Sequence, residues 1–527
     1  MKKLRLYFFA GCALFTLSAR AQAPDAPIDV LHYGFNIVLN DANNNIKGKA
    51  DVTVKFLKSP GKFKINLVKK KPNGTGMTVS RVVENGKAVR FKQDSDAVNI
   101  YTSAKTNSRK TYNIYYQGIP ADGLIISTNK FGKRTFFGDN WPNRAHNWLP
   151  CVDEPADKAS VDFMVTAPDH YQVIANGLKT GESVLPGQLI KTHWSETAQL
   201  PTKVMVIGVA DFAVDHPRDV SDIPVYTYVF PESANVGFKS YAVAGEILPF
   251  YMDKIGPYAY KKLANVQSKT IFGGMENASC IFYFEDSPYS KGIEELMAHE
   301  IAHQWFGDAV SEKDFHHLWL SEGFATYLTN YYLESKYGID TLKKRLTADR
   351  AKIISFEKRR FTPVVDTTVK ADYMPLLNAN SYEKGSWVLH MLRRKIGDGA
   401  FWKGLNTYYL KYQGANANTE DFRQVMEGIS GQNLKPFFHQ WLNTAGHPDL
   451  AVKWTYDPKT RIVDISVDQK QVPLYTFPLE VEIDGDLHTI DMTGKSATVH
   501  IAAGKKTPVV VVDPNVNLLA SYTVNAG

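Results

Sequence analysis

The sequence has 527 residues, of which 44% are hydrophobic and 22% are charged, and its formal net charge is +7. At about 150 residues per domain, this length predicts roughly three domains, and the composition is that of an ordinary globular protein rather than a fibrous or disordered one. Lysines and acids are mixed throughout without a basic run, so we do not expect nucleic-acid binding.

The N-terminal segment, MKKLRLYFFAGCALFTLSARAQA, has a basic start, an apolar middle and a small-residue end. This layout is typical of a secretory signal peptide over residues 1–23. A membrane anchor would need about 20 apolar residues, and this run is shorter and ends at Arg20. We therefore expect an exported protein, periplasmic or extracellular, with no stable membrane insertion after signal removal.

Residues 24–220 have the texture of β-structure. Segments such as HYGFNIVLN, KADVTVKFL and KTYNIYYQG alternate or run through Val, Ile, Tyr and Phe. Turn-rich pieces such as NDANNN and KPNGTG separate them. These patterns predict an N-terminal β-sheet domain.

The texture changes to helical spacing over residues 221–447, in segments such as GIEELMAHEIAHQW, EGFATYLTNYYLESKYG and TEDFRQVMEGIS. Residues 448–527 return to short strands, among them VKWTYD, IVDISVDQ and FPLEVEID. We therefore predict a mostly α domain followed by a small β-sandwich, which makes the chain a multidomain α+β protein.

The segment MAHEIAHQWFG carries His299 and His303 four residues apart, with Glu300 directly after the first. On a helix this spacing places both histidines on one face; the alternative is a helix that carries two unrelated histidines. A catalytic zinc site needs a third ligand and one open position. Glu322, in WLSEGFATY, could supply that ligand from a second helix packed antiparallel on the first. Glu300 would then act as general base on a zinc-bound water whose pKa the metal lowers towards 7.

The paired segments HEIAHQWFG and WLSEGFATY resemble the zinc signature of the M1 aminopeptidases, a branch of the gluzincins. The likeness continues in FGGMEN, similar to the exopeptidase signature, and in LPCVDEPADKASVDF, similar to an N-terminal-domain motif. SYEKGSWVLHML resembles the catalytic-tyrosine segment, and FFHQWLNTAGHPDL the end of the catalytic domain. The resemblance implies a saddle-like N-terminal β-sheet domain, a thermolysin-like catalytic domain and one Zn²⁺ per chain.

Carried over by position, the resemblance implies that His299, His303 and Glu322 bind zinc while Glu300 serves as general base. Thr326, one turn after Glu322, is a candidate for orienting a ligand histidine. The alternative for Thr326 is a hydrogen bond to its own helix backbone.

The resemblance also assigns an oxyanion donor and a substrate-binding segment. Tyr382 would donate a hydrogen bond to the oxyanion of the tetrahedral intermediate, and Glu276 would bind the free α-amine. Without the resemblance, Tyr382 reads as a packed helix tyrosine and Glu276 as a solvated loop carboxylate. Two glycines would let the backbone pair with substrate as a strand. The segment comprises Gly273, Gly274, Met275, Glu276 and Asn277.

One departure from the family pattern concerns the amine site. Relatives commonly place a second carboxylate or a glutamine a few residues before the PCxDEP motif, and that position is Trp141 in this chain. Asp139 or Asn140 would be the replacements, unless the second anchor is missing.

The function indicated is a zinc aminopeptidase acting on peptides with a free N-terminus. A thermolysin-like zinc endopeptidase shares the zinc helices but has no need for GGMEN, and one relative combines peptide cleavage with epoxide hydrolysis. A non-catalytic binding protein would be expected to lose Glu300 or a ligand.

Overall fold

The computed structural model describes residues 26–505 and 507–526, and the predicted signal peptide, residues 1–23, lies outside them. Within the described ranges, no helix is both long and apolar enough to cross a membrane.

In the N-terminal region, long strands such as Ile46–Phe56 and Arg109–Ile119 alternate buried with less buried positions over most of their length, as period-2 patterning predicts. Its large sheet has the order β13-β14-β11-β1-β2-β8-β4-β5 and is antiparallel except where β1 pairs with β11. Smaller sheets have the orders β12-β15-β10-β9 and β3-β7-β6. The strands are β1 (Ile28–Val38), β2 (Ile46–Phe56), β3 (Lys62–Asn66), β4 (Gly76–Glu84), β5 (Lys87–Ala88), β6 (Phe91–Gln93), β7 (Ala97–Tyr101), β8 (Arg109–Ile119), β9 (Leu124–Thr128), β10 (Arg134–Gly138), β11 (Lys158–Pro168), β12 (Gln172–Ala175), β13 (Leu178–Leu185), β14 (Leu189–Pro201) and β15 (Ile207–Ala210).

A mixed sheet with the order β16-β17-β18-β20-β19 introduces the helical region. Sequence analysis predicted helices here and did not predict this sheet. Its first strand precedes the predicted boundary at residue 220 but pairs with β17 rather than with the N-terminal sheets. The strands are β16 (Ala213–Val220), β17 (Ile223–Val229), β18 (Leu263–Ser268), β19 (Gly274–Met275) and β20 (Cys280–Phe284), with α1 (Ala234–Tyr241) and α2 (Ala244–Lys254) between β17 and β18.

The helices over Ile293–His303, Trp319–Tyr337 and Thr419–Ser430 follow the segments with predicted helical spacing, and the other helices fall within the predicted mostly α region, residues 221–447. The segment TEDFRQVMEGIS forms α8 because Asn418 and Asp421 make a reciprocal capping box at its start. At its end, Gly431 adopts the left-handed conformation. The elements are α3 (Ile293–His303), β21 (Val310–Glu312), α4 (Trp319–Tyr337), α5 (Ile339–Glu357), a π-helical turn (Asn380–Lys384), α6 (Gly385–Ile396), α7 (Asp398–Tyr412), β22 (Ala415–Ala417), α8 (Thr419–Ser430), α9 (Lys435–Phe438) and a second π-helical turn (His439–Asn443).

The C-terminal region consists of two sheets, with the orders β27-β24-β23-β29 and β26-β25-β28. Alternate residues of β24 and β25 are buried. Ion pairing between Arg350 and Asp513, 3.3 Å apart, contributes to docking this region on α5. The strands are β23 (Asp449–Asp457), β24 (Ile462–Gln469), β25 (Phe477–Ile483), β26 (Asp486–Met492), β27 (Ser496–Ala502), β28 (Val510–Val512) and β29 (Ser521–Ala526). The chain is therefore an α+β protein with β-rich regions on both sides of a helical region.

Candidate active site

Two histidines and a glutamate converge where α3 packs on α4. His299 and His303 lie one turn apart on α3, and Glu322 projects from the first turn of α4. The Nε2 atoms of the histidines are 3.1 Å apart, and they lie 3.3 and 3.2 Å from Oε2 of Glu322. Tetrahedral zinc, with ligands at about 2.0–2.1 Å, requires ligand atoms about 3.3–3.4 Å apart. The three atoms therefore approximate one face of a coordination tetrahedron, and the donor set fits zinc.

A carbonyl and a hydroxyl orient the ring of His303. Its Nδ1 lies 3.1 Å from the backbone oxygen of Phe306 and 3.1 Å from Oγ of Ser321. Since a carbonyl oxygen only accepts hydrogen bonds, Nδ1 carries a proton, and Nε2 is the ring atom left to bind a metal. Thr326 borders His299 but, in the described part of the chain, makes no hydrogen bond to either histidine. The orienting hydroxyl therefore comes from Ser321, which sequence analysis missed and whose only signal is its place before the ligand glutamate.

The charges of the cluster compensate one another. Burial by itself raises the pKa of Glu322, but the imidazoles of His303 and His299 outweigh it and hold that pKa well below its usual range. Burial lowers the pKa of His303, yet the carboxylates of Glu322 and Glu276 prevail and raise it to about 10. The raised pKa of His303 and the lowered pKa of Glu322 thus describe an ion pair, in which a bound metal cation would take the place of a ring proton.

Glu300 lies on the same helix with its carboxylate against β19. A Cβ atom at Gly274 would lie 2.3 Å from Oε1 of Glu300, so a larger residue there would displace the Glu300 carboxylate from its present position. Burial raises the pKa of Glu300 well above its ordinary value, and His303 opposes the shift. The nearby carboxylates of Glu276 and Glu322 add to it. A carboxylate with a raised pKa is a stronger proton acceptor.

Glu276 brings a second carboxylate to the same place. Its side chain is buried, and its Oε1 has no hydrogen-bond partner among the described residues. Carboxylate oxygens of Glu276 and Glu300 and a ring nitrogen of His303 all lie within 4.8 Å of one another. Because a buried carboxylate oxygen without a donor is costly, this position suits a cationic group of a ligand.

Gln304 ties α3 to the segment that carries Glu276. Its Nε2 donates to the backbone oxygen of Glu276 at 2.6 Å and to Oδ2 of Asp308 at 2.9 Å. Its Oε1 accepts from the backbone N–H of Ser279 at 2.8 Å and from the hydroxyl of Tyr258 at 3.3 Å. Since the amide has no further donors or acceptors to satisfy, Gln304 fixes the backbone of Glu276 relative to α3, the helix that carries both histidines. Sequence analysis missed this residue, and its only signal is its place directly after the second histidine.

The segment around β19 borders a cavity of 270 Å³. One side of β19 pairs with β20, and β19 is the edge of its sheet. An edge strand with a free side can accept an extended peptide. The predicted site residues that line the cavity are Trp141, Gly273, Gly274, Met275, Glu276, His299, Glu300, His303, Glu322 and Tyr382. Asn277 is fully buried behind them.

Tyr382 lies in the π-helical turn before α6. Its ring stacks on His299 with centroids 5.9 Å apart and an interplanar angle of 10°. Burial raises the pKa of Tyr382 well above its ordinary value, and nearby carboxylates add to the shift, so its hydroxyl remains a donor at neutral pH. Lys384 anchors the turn through a 2.7 Å contact between Nζ and Oε1 of Glu357.

Trp141 lies at the position where the family resemblance led sequence analysis to expect a second amine anchor. Its indole is buried, and Phe272 and Phe315 pack edge-on against it with centroids 6.1 and 6.0 Å away. The polar side-chain atoms of Asp139 and Asn140 are engaged within the fold, so neither residue is available to a substrate amine. Their partners are Arg144, Thr270 and Ile271 for Asp139, and Thr202, Met205 and Trp148 for Asn140.

Comparison with known proteins matches two ranges of the chain to described domain families. Residues 30–204 match the model of the peptidase M1 N-terminal domain, and residues 240–441 match that of the peptidase family M1 domain. The second range contains the ligand histidines, Glu300, Glu322, Glu276 and Tyr382.

Among the similar curated proteins is a leucyl aminopeptidase of Saccharolobus solfataricus, 24% identical over 79% of this chain and 55% of the relative. Aminopeptidase M1-C of Oryza sativa subsp. japonica is 28% identical over 59% of this chain and 37% of the relative. Aminopeptidase 2 of Candida albicans is 24% identical over 81% of this chain and 48% of the relative. The chain thus spans between about a third and a little over half of the length of these relatives.

Proposed function

The chain belongs to peptidase family M1, and on this premise we propose that it is a zinc-dependent aminopeptidase that removes residues from the free N-terminus of peptides. One observation carries the proposal beyond the family. The carboxylate of Glu276 is buried, and its Oε1 has no partner among the described residues. It lies beside His299, His303 and Glu322, which we call the metal-type cluster. An ammonium group would satisfy it by a charge-assisted hydrogen bond, whereas an internal stretch of peptide offers no such charge.

The zinc ion would be held by His299, His303 and Glu322, one per chain. When bound, it would polarise the substrate carbonyl and lower the pKa of a water molecule. The backbone oxygen of Phe306 keeps a proton on Nδ1 of His303, so that Nε2 is the atom that binds the metal.

The remaining residues of the site bind substrate and move protons. Glu300 accepts the proton of the attacking water and passes it to the leaving amine. The hydroxyl of Tyr382 donates to the oxyanion that develops on the former carbonyl. The edge strand β19 pairs with the substrate main chain, and Gly274 permits that strand to pass against Glu300.

A panel of matched aminoacyl and peptide substrates, free or N-acetylated, tests the proposal. Acetylation removes the charge and adds bulk at Glu276, so cleavage should nearly stop. Internal cleavage of acetylated peptides at the rate of free ones would instead indicate the thermolysin-like endopeptidase.

The metal is tested separately by metal analysis and a chelator titration. We expect one zinc per chain, loss of turnover on exhaustive chelation and recovery when zinc is returned. Full turnover by the chelated protein would refute the proposal.

Export and the range of partners are also part of the proposal. The sequence of residues 1–23 supports removal of a signal peptide, so the mature protein isolated from the periplasm or medium should begin at Pro24. We propose peptides, and not nucleic acids, as partners, consistent with the absence of a basic run in the sequence.

A further inference from the structure

A second cavity, of 970 Å³, opens beside Tyr382. It shares Tyr382 and Leu377 with the cavity that contains the metal-type cluster. None of residues 272–276 borders it, so it lies away from the amine-side carboxylate. A substrate whose amine is held at Glu276 would therefore extend its leaving-group side towards this second cavity.

One face of α5, continued by the turn after it, forms a wall of this cavity. Lys352, Ser355, Phe356 and Arg359 line it at helical spacing. The backbone N–H of Arg359 still donates to the oxygen of Phe356 at 2.9 Å, so the helical path continues to that residue. Seven residues at 1.5 Å each place Arg359 about 10 Å beyond Lys352.

The basic side chains of this wall differ in their partners. Nζ of Lys352 lies 2.9 Å from Oε1 of Glu383 and 3.7 Å from Oδ1 of Asp349, so its charge is neutralised. Arg359, by contrast, has an exposed side chain with no acidic partner in residues 26–505 and 507–526. A peptide bound across both cavities would follow a path from Glu276, at its amine end, to Arg359. Three buried carboxylates, those of Glu276, Glu300 and Glu322, lie at the amine end of this path. The charge along the path therefore runs from acidic at the amine end to basic at Arg359.

We propose that the second cavity binds the leaving-group side of short peptides and that Arg359 binds their C-terminal carboxylate. The inference rests on the proposed aminopeptidase function and names its substrate class. An extended peptide advances about 3.3–3.6 Å per residue, so the 10 Å between Lys352 and Arg359 corresponds to about three residues. Peptides of about three to five residues should therefore reach Arg359, while longer ones carry their carboxylate past it.

The test uses the full-length enzyme and peptides of two to eight residues with one common N-terminal residue, each as free acid and as C-terminal amide. At three to five residues, the wild-type kcat/KM for the acid should exceed that for the amide by about 3- to 10-fold, mainly through KM, as expected for an exposed guanidinium–carboxylate contact. The ratio should approach one for the longest peptides.

Variants separate Arg359 from a general charge effect. Arg359→Ala should bring the acid-to-amide ratio to about one, and Arg359→Lys should restore part of it. Lys358→Ala is the matched control, because Lys358 carries the same charge at the adjacent position but lines a different cavity. It should leave the ratio unchanged.

A wild-type ratio near one at every length would overturn the inference, and so would an equal effect of Arg359→Ala on acids and amides. An aminoacyl anilide, which has no C-terminal carboxylate, separates this failure from that of the proposed function. Cleavage of the free-amine anilide with a flat acid-to-amide ratio refutes only the role of Arg359. Equal cleavage of acetylated and free substrates refutes the aminopeptidase itself, and the inference with it.

Discussion

Replacement of Glu276 by glutamine is the sharpest test of how the site recognises a substrate. Glu276→Gln keeps the shape of the side chain but removes its charge. A hydrogen bond between charged groups contributes about 1.5–3 kcal/mol, which corresponds to about 10- to 100-fold in kcat/KM. The side chain is 5% exposed, so solvent screens the interaction little, and we expect a loss within this range on free-amine substrates.

The same substitution should not lower the free energy of unfolding, since Oε1 makes no hydrogen bond that the change would remove and one of three mutually repelling carboxylates loses its charge. Glu285→Gln is the contrasting control. Glu285 is buried outside the cavity, pairs with Lys269 and accepts from the backbone N–H of Lys130 at 2.7 Å. Its substitution should lower stability while preserving discrimination between free and acetylated amines.

The assay combines kcat/KM on free and N-acetylated aminoacyl substrates with thermal unfolding of each variant. A loss of less than about 3-fold for Glu276→Gln, at unchanged stability, would refute the assignment of the amine to this carboxylate. A loss that tracks a lowered melting temperature would assign Glu276 to the fold instead.

Four further substitutions test the other parts of the site. Glu300→Gln should retain one zinc per chain by metal analysis while kcat falls by about 10²- to 10⁴-fold; parallel loss of zinc and activity would make Glu300 structural. Tyr382→Phe should lower kcat by about 10²-fold or more with little change in KM, whereas a raised KM alone would indicate ground-state binding. Gly274→Ala places a Cβ atom 2.3 Å from Glu300 and should abolish activity in a folded enzyme, whereas at Gly273 the added atom meets its nearest neighbour at 3.9 Å and activity should persist. Trp141→Glu replaces an indole packed between two phenylalanines, so melting temperature and activity should both fall; tighter amine binding would instead support a lost anchor.

Much of the site could be predicted from the spacing of neighbouring residues in the sequence. His299 and His303 are one helical turn apart wherever that helix forms, so their meeting follows from i, i+4 geometry alone. Glu322 can join the two histidines only if a second helix packs on the first. The residue pattern allowed this packing without requiring it, and the family resemblance implied it. The alternating strands of the N-terminal and C-terminal regions were predictable for the same local reason, because period-2 burial is written in the sequence.

The parts that escaped prediction depend on contacts between distant segments. Sequence analysis considered Asn140 as a replacement anchor for the substrate amine. In the structure its side-chain N–H groups donate to the backbone oxygens of Thr202 and Met205. The support that Gln304 gives to Glu276 joins residues 28 positions apart. The pairing of β16 with β17, rather than with the N-terminal sheets, likewise depends on tertiary contacts that local patterning does not specify.

Three buried carboxylates share one cavity, and their surroundings assign them different chemistry under the proposed function. Glu322 lies between two imidazoles that hold its pKa low, so it remains charged and suits a metal. Glu300 is buried near like charges that raise its pKa, which suits a group that accepts and releases a proton. Glu276 has an oxygen without a donor among the described residues, which leaves it to the substrate. Like charges so close in a buried site repel strongly, so a metal ion at Glu322, a proton at Glu300 and an ammonium group at Glu276 would each relieve part of that repulsion.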